Sequence, residues 1–159
     1  MIRDAMFGDI MSCVSFIKSA HERSIYADRC GVDVEELKGL LKHSIIHNGD
    51  TNRAATHIQV AEQDGKVAGL IIGMLSPVYL IGDRLMATDV FYLVGPDVHP
   101  KDSIKLLDGF LSWAKSCPKV IEIKCGVSDA MGDWKRTEKL YRRKGFEPAG
   151  TMFSMRINK

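Results

Sequence analysis

The feature of this sequence that most constrains its fold is a series of apolar segments joined by short turns. The dipeptide Asp64-Gly65 lies between two of them and is among the strongest signals for a two-residue β-hairpin turn. Residues 67–75 are apolar on both faces, and residues 85–94 form a further apolar segment that is interrupted chiefly by Asp89. Strands with two apolar faces are buried on both sides, so we expect a sheet covered by helices on each face.

Apolar residues at helical spacing predict two helices before these strands, at about 9–24 and 34–47. Asp33 is expected to cap the second helix, with Glu36 three residues later completing a capping pair. A third helix is predicted between Pro96 and Pro118, with Asp102 or Ser103 as its cap.

A fourth helix is predicted from Asp133, as its cap, to Lys144, with Gly145 in the left-handed position that ends a helix. Strands are predicted at residues 2–5, on either side of Asp64-Gly65, and at 85–94, 120–125 and 152–157. The predicted order is β-α-α-β-β-β-α-β-α-β. The strands at about 85–95 and 120–125 are joined by one amphipathic helix, so we expect them to be adjacent and parallel and to diverge toward their C-terminal ends. The chain contains no internal repeat or linker, so we expect residues 1–159 to form a single three-layer α/β domain with a mixed sheet.

Charge and composition exclude several classes of function. The chain has 159 residues, 45% of them hydrophobic, and its net charge of +2 is too small for a protein whose main partner is a phosphate backbone. Residues 134–159 hold 8 basic and 2 acidic side chains, a local charge of +6. This surplus lies mainly on the fourth predicted helix, where it wraps around the axis and is typical of a solvated face, so nucleic-acid binding is not expected.

The cysteines and the apolar segments indicate a cytoplasmic protein. The four cysteines form no CxxC pair, so neither a metal site nor a disulfide framework is predicted. Acidic residues at Asp4 and Asp9 interrupt the start where an export signal would be apolar. The longest uncharged run, residues 67–82, contains glycines and a proline and is too short for a membrane helix.

Four segments carry a resemblance to a known family. They are MIRDAMFGDI at 1–10, AEQDGKVAGLIIG at 61–73, VGPDVHP at 94–100 and LYRRKGFEPAG at 140–150. With the order of elements, they resemble the GNAT superfamily of acyl-CoA-dependent N-acetyltransferases over nearly the whole chain. The segments at 26–41 and 126–141 look most like small single-domain versions encoded by tailed bacteriophages. The resemblance implies transfer of an acetyl group from acetyl-CoA to a small or peptidyl amine by direct attack.

The resemblance also implies where acetyl-CoA would bind. The pantetheine arm would lie in an opening between the strands at 85–95 and 120–125, near Val94 and Gly95. Gly95 suits a bulge that points an N–H group at the thioester, and it equally suits a plain strand end.

The pyrophosphate would lie at the start of the third helix. The residues there are Val98, His99, Lys101, Asp102, Ser103 and Lys105. This segment departs from the family's basic, glycine-rich loop, because it has no glycine, Pro100 lacks an N–H group, and Asp102 adds a carboxylate. Lys101 and Lys105 could compensate through charge, while an ordinary helix cap is the alternative for Asp102 and Ser103.

Two residues are predicted to carry the chemistry. The resemblance implies that the Tyr141 hydroxyl protonates the departing thiolate, and the alternative is a tyrosine that packs its ring in the core. The lone carboxyl group of Asp89 in an apolar strand is the leading base for the amine, against the alternative of an outward-pointing strand residue. Glu122, His57 and His99 are weaker candidates.

A second class of function stays open. The glycine-free segment at 98–104 is also compatible with a catalytically silent GNAT fold that serves as a phage structural or protein-binding component. The partners to consider are therefore an amine substrate, a second copy of the chain, or phage structural proteins. Binding of acetyl-CoA separates the two classes.

Overall fold

The computed structural model describes residues 1–157 and contains a five-stranded sheet and four α-helices. In chain order the elements are β1 (Ile2–Asp4), α1 (Ile10–Glu22), α2 (Val34–Ile46), β2 (Thr56–Gln63), β3 (Lys66–Pro77), β4 (Leu85–Val94), α3 (Pro100–Ser116), β5 (Val120–Lys124) and α4 (Lys135–Arg143). Single 3₁₀ turns lie at Phe7–Asp9, Val78–Leu80 and Asp129–Met131. Within residues 1–157, no helix is long and apolar enough to cross a membrane.

The strands lie side by side in chain order, β1-β2-β3-β4-β5. The first four are antiparallel neighbours, and β5 is parallel to β4. The parallel pairing of the last two strands across one helix confirms the prediction from their apolar pattern. The turn at Asp64-Gly65 also forms, with φ angles of 51° and 73° that are typical of a hairpin turn with two left-handed residues.

The two faces of the sheet form two separate cores, which confirms the three-layer prediction. Alternate side chains of β3 point to opposite faces, so Leu70 and Ile72 pack with α1 and α2 while Ile71 packs with α3. The residues from α3 include Leu107 and Phe110, which are fully buried. Tyr141 of α4 belongs to the same core as α3.

The helix ends agree with the sequence except at α3. Asp33 caps α2 and accepts the N–H groups of Glu35 and Glu36 at 3.1 and 3.0 Å. The prediction that Asp102 or Ser103 caps α3 is wrong, because the helix begins at Pro100 and His99 is its cap. Proline suits the first helical position, since its fixed φ fits the helix and its missing N–H group would have no partner there.

Two further predictions need correction. The fourth helix begins at Lys135, two residues after its predicted cap, although the Asp133 carboxylate does accept the Lys135 N–H group at 3.0 Å. The segment 152–157 was predicted as a final strand, yet residues 151–157 form no strand and are exposed. A strand needs a neighbouring edge for its N–H and C=O groups, and local sequence pattern alone does not supply one.

Candidate active site

The candidate site lies where β4 and β5 separate. The two strands pair from Leu85 with Val120 to Thr88 with Lys124, after which β5 ends and β4 continues to Val94. At the same point β4 contains an extra residue, because Ile72 pairs with Phe91 and Gly73 with Asp89. A bulge of this kind bends a strand and increases its twist. From Asp89 onward β4 therefore has no paired strand on its β5 side, and we call this stretch the wedge beyond Asp89.

Asp89 bridges the elements that surround the start of this wedge. One of its carboxylate oxygens, Oδ2, accepts a hydrogen bond from the Tyr141 hydroxyl at 3.1 Å. The other, Oδ1, accepts the Gly126 N–H group just beyond β5, also at 3.1 Å. The two residues that the sequence singled out for catalysis are therefore in direct contact, although 52 positions separate them.

Burial changes the proton affinity of both partners in the same direction. Burial raises the pKa of Asp89, and the hydrogen bonds from Gly126 and Tyr141 offset part of that rise. Burial and the nearby Asp89 carboxylate raise the pKa of Tyr141 well above its ordinary range. Tyr141 thus holds its proton at neutral pH, while Asp89 is a better proton acceptor than an exposed carboxylate.

Aromatic side chains and one cysteine surround the pair. The rings of Phe146 and Tyr92 lie 5.2 and 6.5 Å from the Tyr141 ring, and the Tyr92 hydroxyl donates to the Ser103 carbonyl of α3 at 2.8 Å. Cys125 follows β5 directly, and burial raises the pKa of its thiol to about 12. Neither Cys125 nor Tyr92 was predicted as a site residue, because neither belongs to a spacing pattern that points to a site.

The predicted contacts to the pantetheine arm lie further along β4. Val94 is its last residue, and the Gly95 N–H group donates to the Ala68 carbonyl at 2.8 Å. Gly95 thus has the geometry of a strand end, and the bulge lies at Val90 instead. Val98 is buried against the α3 core, so its side chain faces the interior.

The N–H groups at the start of α3 donate hydrogen bonds to acceptors at the same helix end. The Lys101 N–H group donates to His99 Nδ1 at 3.1 Å, and the Asp102 and Ser103 N–H groups donate to the His99 carbonyl. Pro100 has no N–H group to offer. This helix end therefore differs from an anion site in which several free N–H groups converge.

The side chains at this helix end are also engaged. The Asp102 carboxylate lies 3.6 Å from the Met1 ammonium group and 3.6 Å from Lys105, and the Ser103 hydroxyl donates to the Pro100 carbonyl at 2.8 Å. Lys101 is exposed. Burial raises the pKa of the Tyr92 phenol to about 12. The positive charge of Arg136 on α4 is close enough to Tyr92 to oppose part of that rise.

The weaker candidates lie outside the wedge. His57 is buried on β2, its ring stacks on Trp113 at 5.5 Å, and burial lowers its pKa to about 4. Glu122 is exposed on β5 and lies 3.1 Å from Lys124. His99 is the cap of α3.

The same architecture occurs in solved acetyltransferase structures. The chain superposes on an acetyltransferase from Trypanosoma brucei with a TM-score of 0.69, 14% identity and 99% of each chain covered. Glucosamine-6-phosphate N-acetyltransferase from Arabidopsis thaliana gives a TM-score of 0.69 at 16% identity, covering 99% of this chain and 98% of that one. Ribosomal-protein-alanine N-acetyltransferase from Brucella melitensis gives 0.65 at 16% identity, with the same coverage.

No family model matches the sequence, and no curated protein matches it either. At identities of 14 to 16%, the structural matches establish the architecture. This chain has the α/β fold of GNAT acetyltransferases, with the strand separation between β4 and β5 in place.

Proposed function

We propose that this protein is an N-acetyltransferase that moves an acetyl group from acetyl-CoA to a primary amine. The observation that carries the proposal is the hydrogen bond between Asp89 and Tyr141 at the point where β4 and β5 separate. A proton acceptor and a proton donor thus lie together at the start of an opening between two strands. Several structures with this fold are those of acetyltransferases, which supports the same class of reaction.

In the proposed reaction, the amine nitrogen forms a bond to the acyl carbon and the bond from that carbon to sulfur breaks. Acetyl-CoA supplies the activated acyl carbon. Asp89 accepts the proton that the amine loses, because its raised pKa makes it a suitable base. Tyr141 donates its proton toward the sulfur, and the Asp89 proton then restores the phenol across their hydrogen bond. The net result moves one proton from nitrogen to sulfur and returns both side chains to their starting state.

The residues of the site suit the pantetheine arm of acetyl-CoA better than its pyrophosphate. The wedge beyond Asp89 suits the narrow pantetheine arm, which could pair with the free backbone groups of β4 like an added strand. The start of α3 does not suit the pyrophosphate, since its N–H groups already have partners within the chain. Phosphate recognition would depend on the side-chain charges of Lys101, Lys105 and Arg136, with Asp102 opposing it.

The direct test is an assay of thiol release from acetyl-CoA over a panel of small and peptidyl amines. Once an amine is found, Tyr141→Phe should lower turnover by about 10²-fold or more, as expected for loss of a general acid, with little change in cofactor affinity. Tyr92→Phe is the matched control, because it removes a half-buried hydroxyl that contacts Ser103 instead of Asp89. Equal turnover of Tyr141→Phe and the parent protein would return Tyr141 to a packing role.

One observation favours a second candidate function. The internally satisfied N–H groups at the start of α3 suit a protein that has lost cofactor binding. In this alternative the chain is a silent GNAT fold that acts as a structural or protein-binding component of a phage. Absence of acetyl-CoA binding at millimolar concentration, in a protein shown to be folded, would favour it.

A further inference from the structure

The connection between β3 and β4 exposes three consecutive large apolar side chains. Tyr79, Leu80 and Ile81 are 83%, 75% and 90% exposed. The backbone of Tyr79 and Leu80 is left-handed, with φ angles of 50° and 65°. This conformation is unfavourable for residues with a β-carbon, and glycine or asparagine usually adopts it in turns. An exposed apolar group of this size is typical of an interaction surface, and we call these three residues the apolar tip.

An open cavity lies directly beside the apolar tip. Its volume is about 490 Å³, whereas a cavity of roughly 150 Å³ already holds a benzene molecule, so it has room for an aliphatic side chain. Pro77, Leu85 and Pro118 form its apolar lining. Gly82 and Asp83, which directly follow the tip, also line it. One surface of the molecule thus carries both a protruding apolar group and a recess suited to receive one.

Charges of both signs flank the tip and the cavity. Asp83 lies where the tip meets the cavity, and Arg53 and Lys119 line the cavity. Within residues 1–157, these three side chains form no ion pair. An anionic lipid surface would repel a carboxylate beside the tip, whereas the cations of a second cavity would attract it. The charges therefore favour a second copy of this chain as the partner of the tip.

We propose that the apolar tip of one copy of the chain inserts into the cavity of a second copy, and that the contact is reciprocal. A two-fold axis beside the tip places each tip in the cavity of the other copy, because a two-fold contact uses the same surface on both sides. The same arrangement brings Asp83 of each copy toward Arg53 and Lys119 of the other. Both apolar tips and all of these charges then acquire partners at once.

This contact surface and the wedge lie at different ends of the same two strands. Leu85 begins β4 and Lys119 directly precedes β5, and both residues line the cavity. The wedge lies beyond Asp89, toward the end of β4. The dimer therefore keeps the wedge outside its interface, and its formation is independent of acetyl transfer.

Sedimentation velocity of the full chain over a range of concentrations tests the dimer without reference to activity. We expect a dimer, and we expect Ile81→Lys to weaken its association by about tenfold or more, because it brings a cation toward the two cations of the cavity. Ile81 is 90% exposed, so this variant should fold as the parent protein does. A parent protein that stays monomeric at all concentrations would overturn the proposal.

Met11→Lys is the matched control for the tip variant. Met11 is an apolar residue of α1 that is 61% exposed, so the variant adds the same charge to another exposed apolar position. Its neighbour Ser12 accepts the Val67 N–H group at the start of β3, whereas the tip follows the other end of that strand. The control should leave the dimer intact, and equal effects of the two variants would overturn the proposal.

An exchange of charges between two variants identifies the surface. In Asp83→Lys the new cation faces Arg53 of the second copy, and in Arg53→Asp two carboxylates face each other, so each variant alone should dimerise about tenfold more weakly or worse. In a mixture, the introduced lysine meets the introduced aspartate, and the native Asp83 meets the native Arg53. The mixture should therefore form a heterodimer at concentrations where each variant is monomeric. A mixture that stays monomeric would contradict pairing through this surface.

Discussion

The Asp89 carboxyl group lowers the stability of the folded state at neutral pH and is the base of the proposed reaction. This carboxyl group is half-buried in an apolar strand, and burial raises its pKa. The folded state therefore disfavours the ionised form of Asp89. The stability that the protonated group contributes is fully present below its unfolded pKa, and it is lost as the pH rises through the higher pKa of the folded state. A neutral side chain of the same shape avoids that loss.

We expect Asp89→Asn to raise the melting temperature at pH 7 and to lower acetyl transfer by about 10²-fold or more. The gain in stability should shrink at pH 4, because this pH lies close to the unfolded pKa of 3.8 and little of the cost of ionising the folded carboxyl group remains there. Thermal unfolding at the two pH values and the thiol-release assay measure these effects. A variant that loses stability at pH 7 while keeping activity would contradict both roles of Asp89.

His57 provides a separate test of burial at the residue scale. Burial lowers its pKa from 6.5 to about 4, so the unfolded chain binds a proton more readily than the folded chain between these values. Stability from this group is complete above pH 6.5 and is lost as the pH falls toward 4. Ring atom Nε2 has no hydrogen-bond partner within residues 1–157, so an apolar ring should replace it without an unmet bond.

Between pH 7 and pH 5, protonation of His57 in the unfolded chain should lower the unfolding free energy of the parent protein by about 2 kcal/mol. We expect this contribution to be absent in His57→Phe. Urea titrations at the two pH values measure this difference. An unchanged slope in His57→Phe would mean that this histidine is accessible to protons in the folded state.

At the scale of elements, the helix caps and turns that could be predicted are those that contacts within a few residues determine. The Asp33 cap and the Asp64-Gly65 turn were predictable because each acts within a few residues. The start of α3 was missed because Asp102 and Ser103 have the composition of a cap, whereas Pro100 and the His99 ring decided the boundary. The predicted strand at 152–157 failed in this chain because a strand requires a distant partner.

The cap of α3 gives a prediction at this scale. His99→Gly should free the Lys101 N–H group and tighten acetyl-CoA binding by about threefold to tenfold, since one more donor faces the expected phosphates. Glycine is itself an acceptable N-cap, so the loss of stability should be only a few tenths of a kcal/mol. Calorimetric titration of both proteins measures the change. Unchanged or weaker binding would show that the phosphates lie elsewhere.

At the scale of the whole molecule, the order of elements followed from the sequence, while the geometry of the site did not. The apolar pattern indicated two adjacent parallel strands, and the structure confirms them. Asp89 and Tyr141 were selected separately, one as a lone acid in a strand and the other from a resemblance. Their contact depends on the bulge at Val90 and on the place of Tyr141 in the core that includes α3, which arise from long-range contacts.

The proposed function requires that the wedge beyond Asp89 binds acetyl-CoA for reaction at the pair of Asp89 and Tyr141. Isothermal titration calorimetry of the folded protein with acetyl-CoA tests it most directly. We expect a dissociation constant on the order of 10⁻⁴ M or weaker, because the start of α3 lacks free donors for the phosphates. No measurable binding at millimolar acetyl-CoA would contradict the claim.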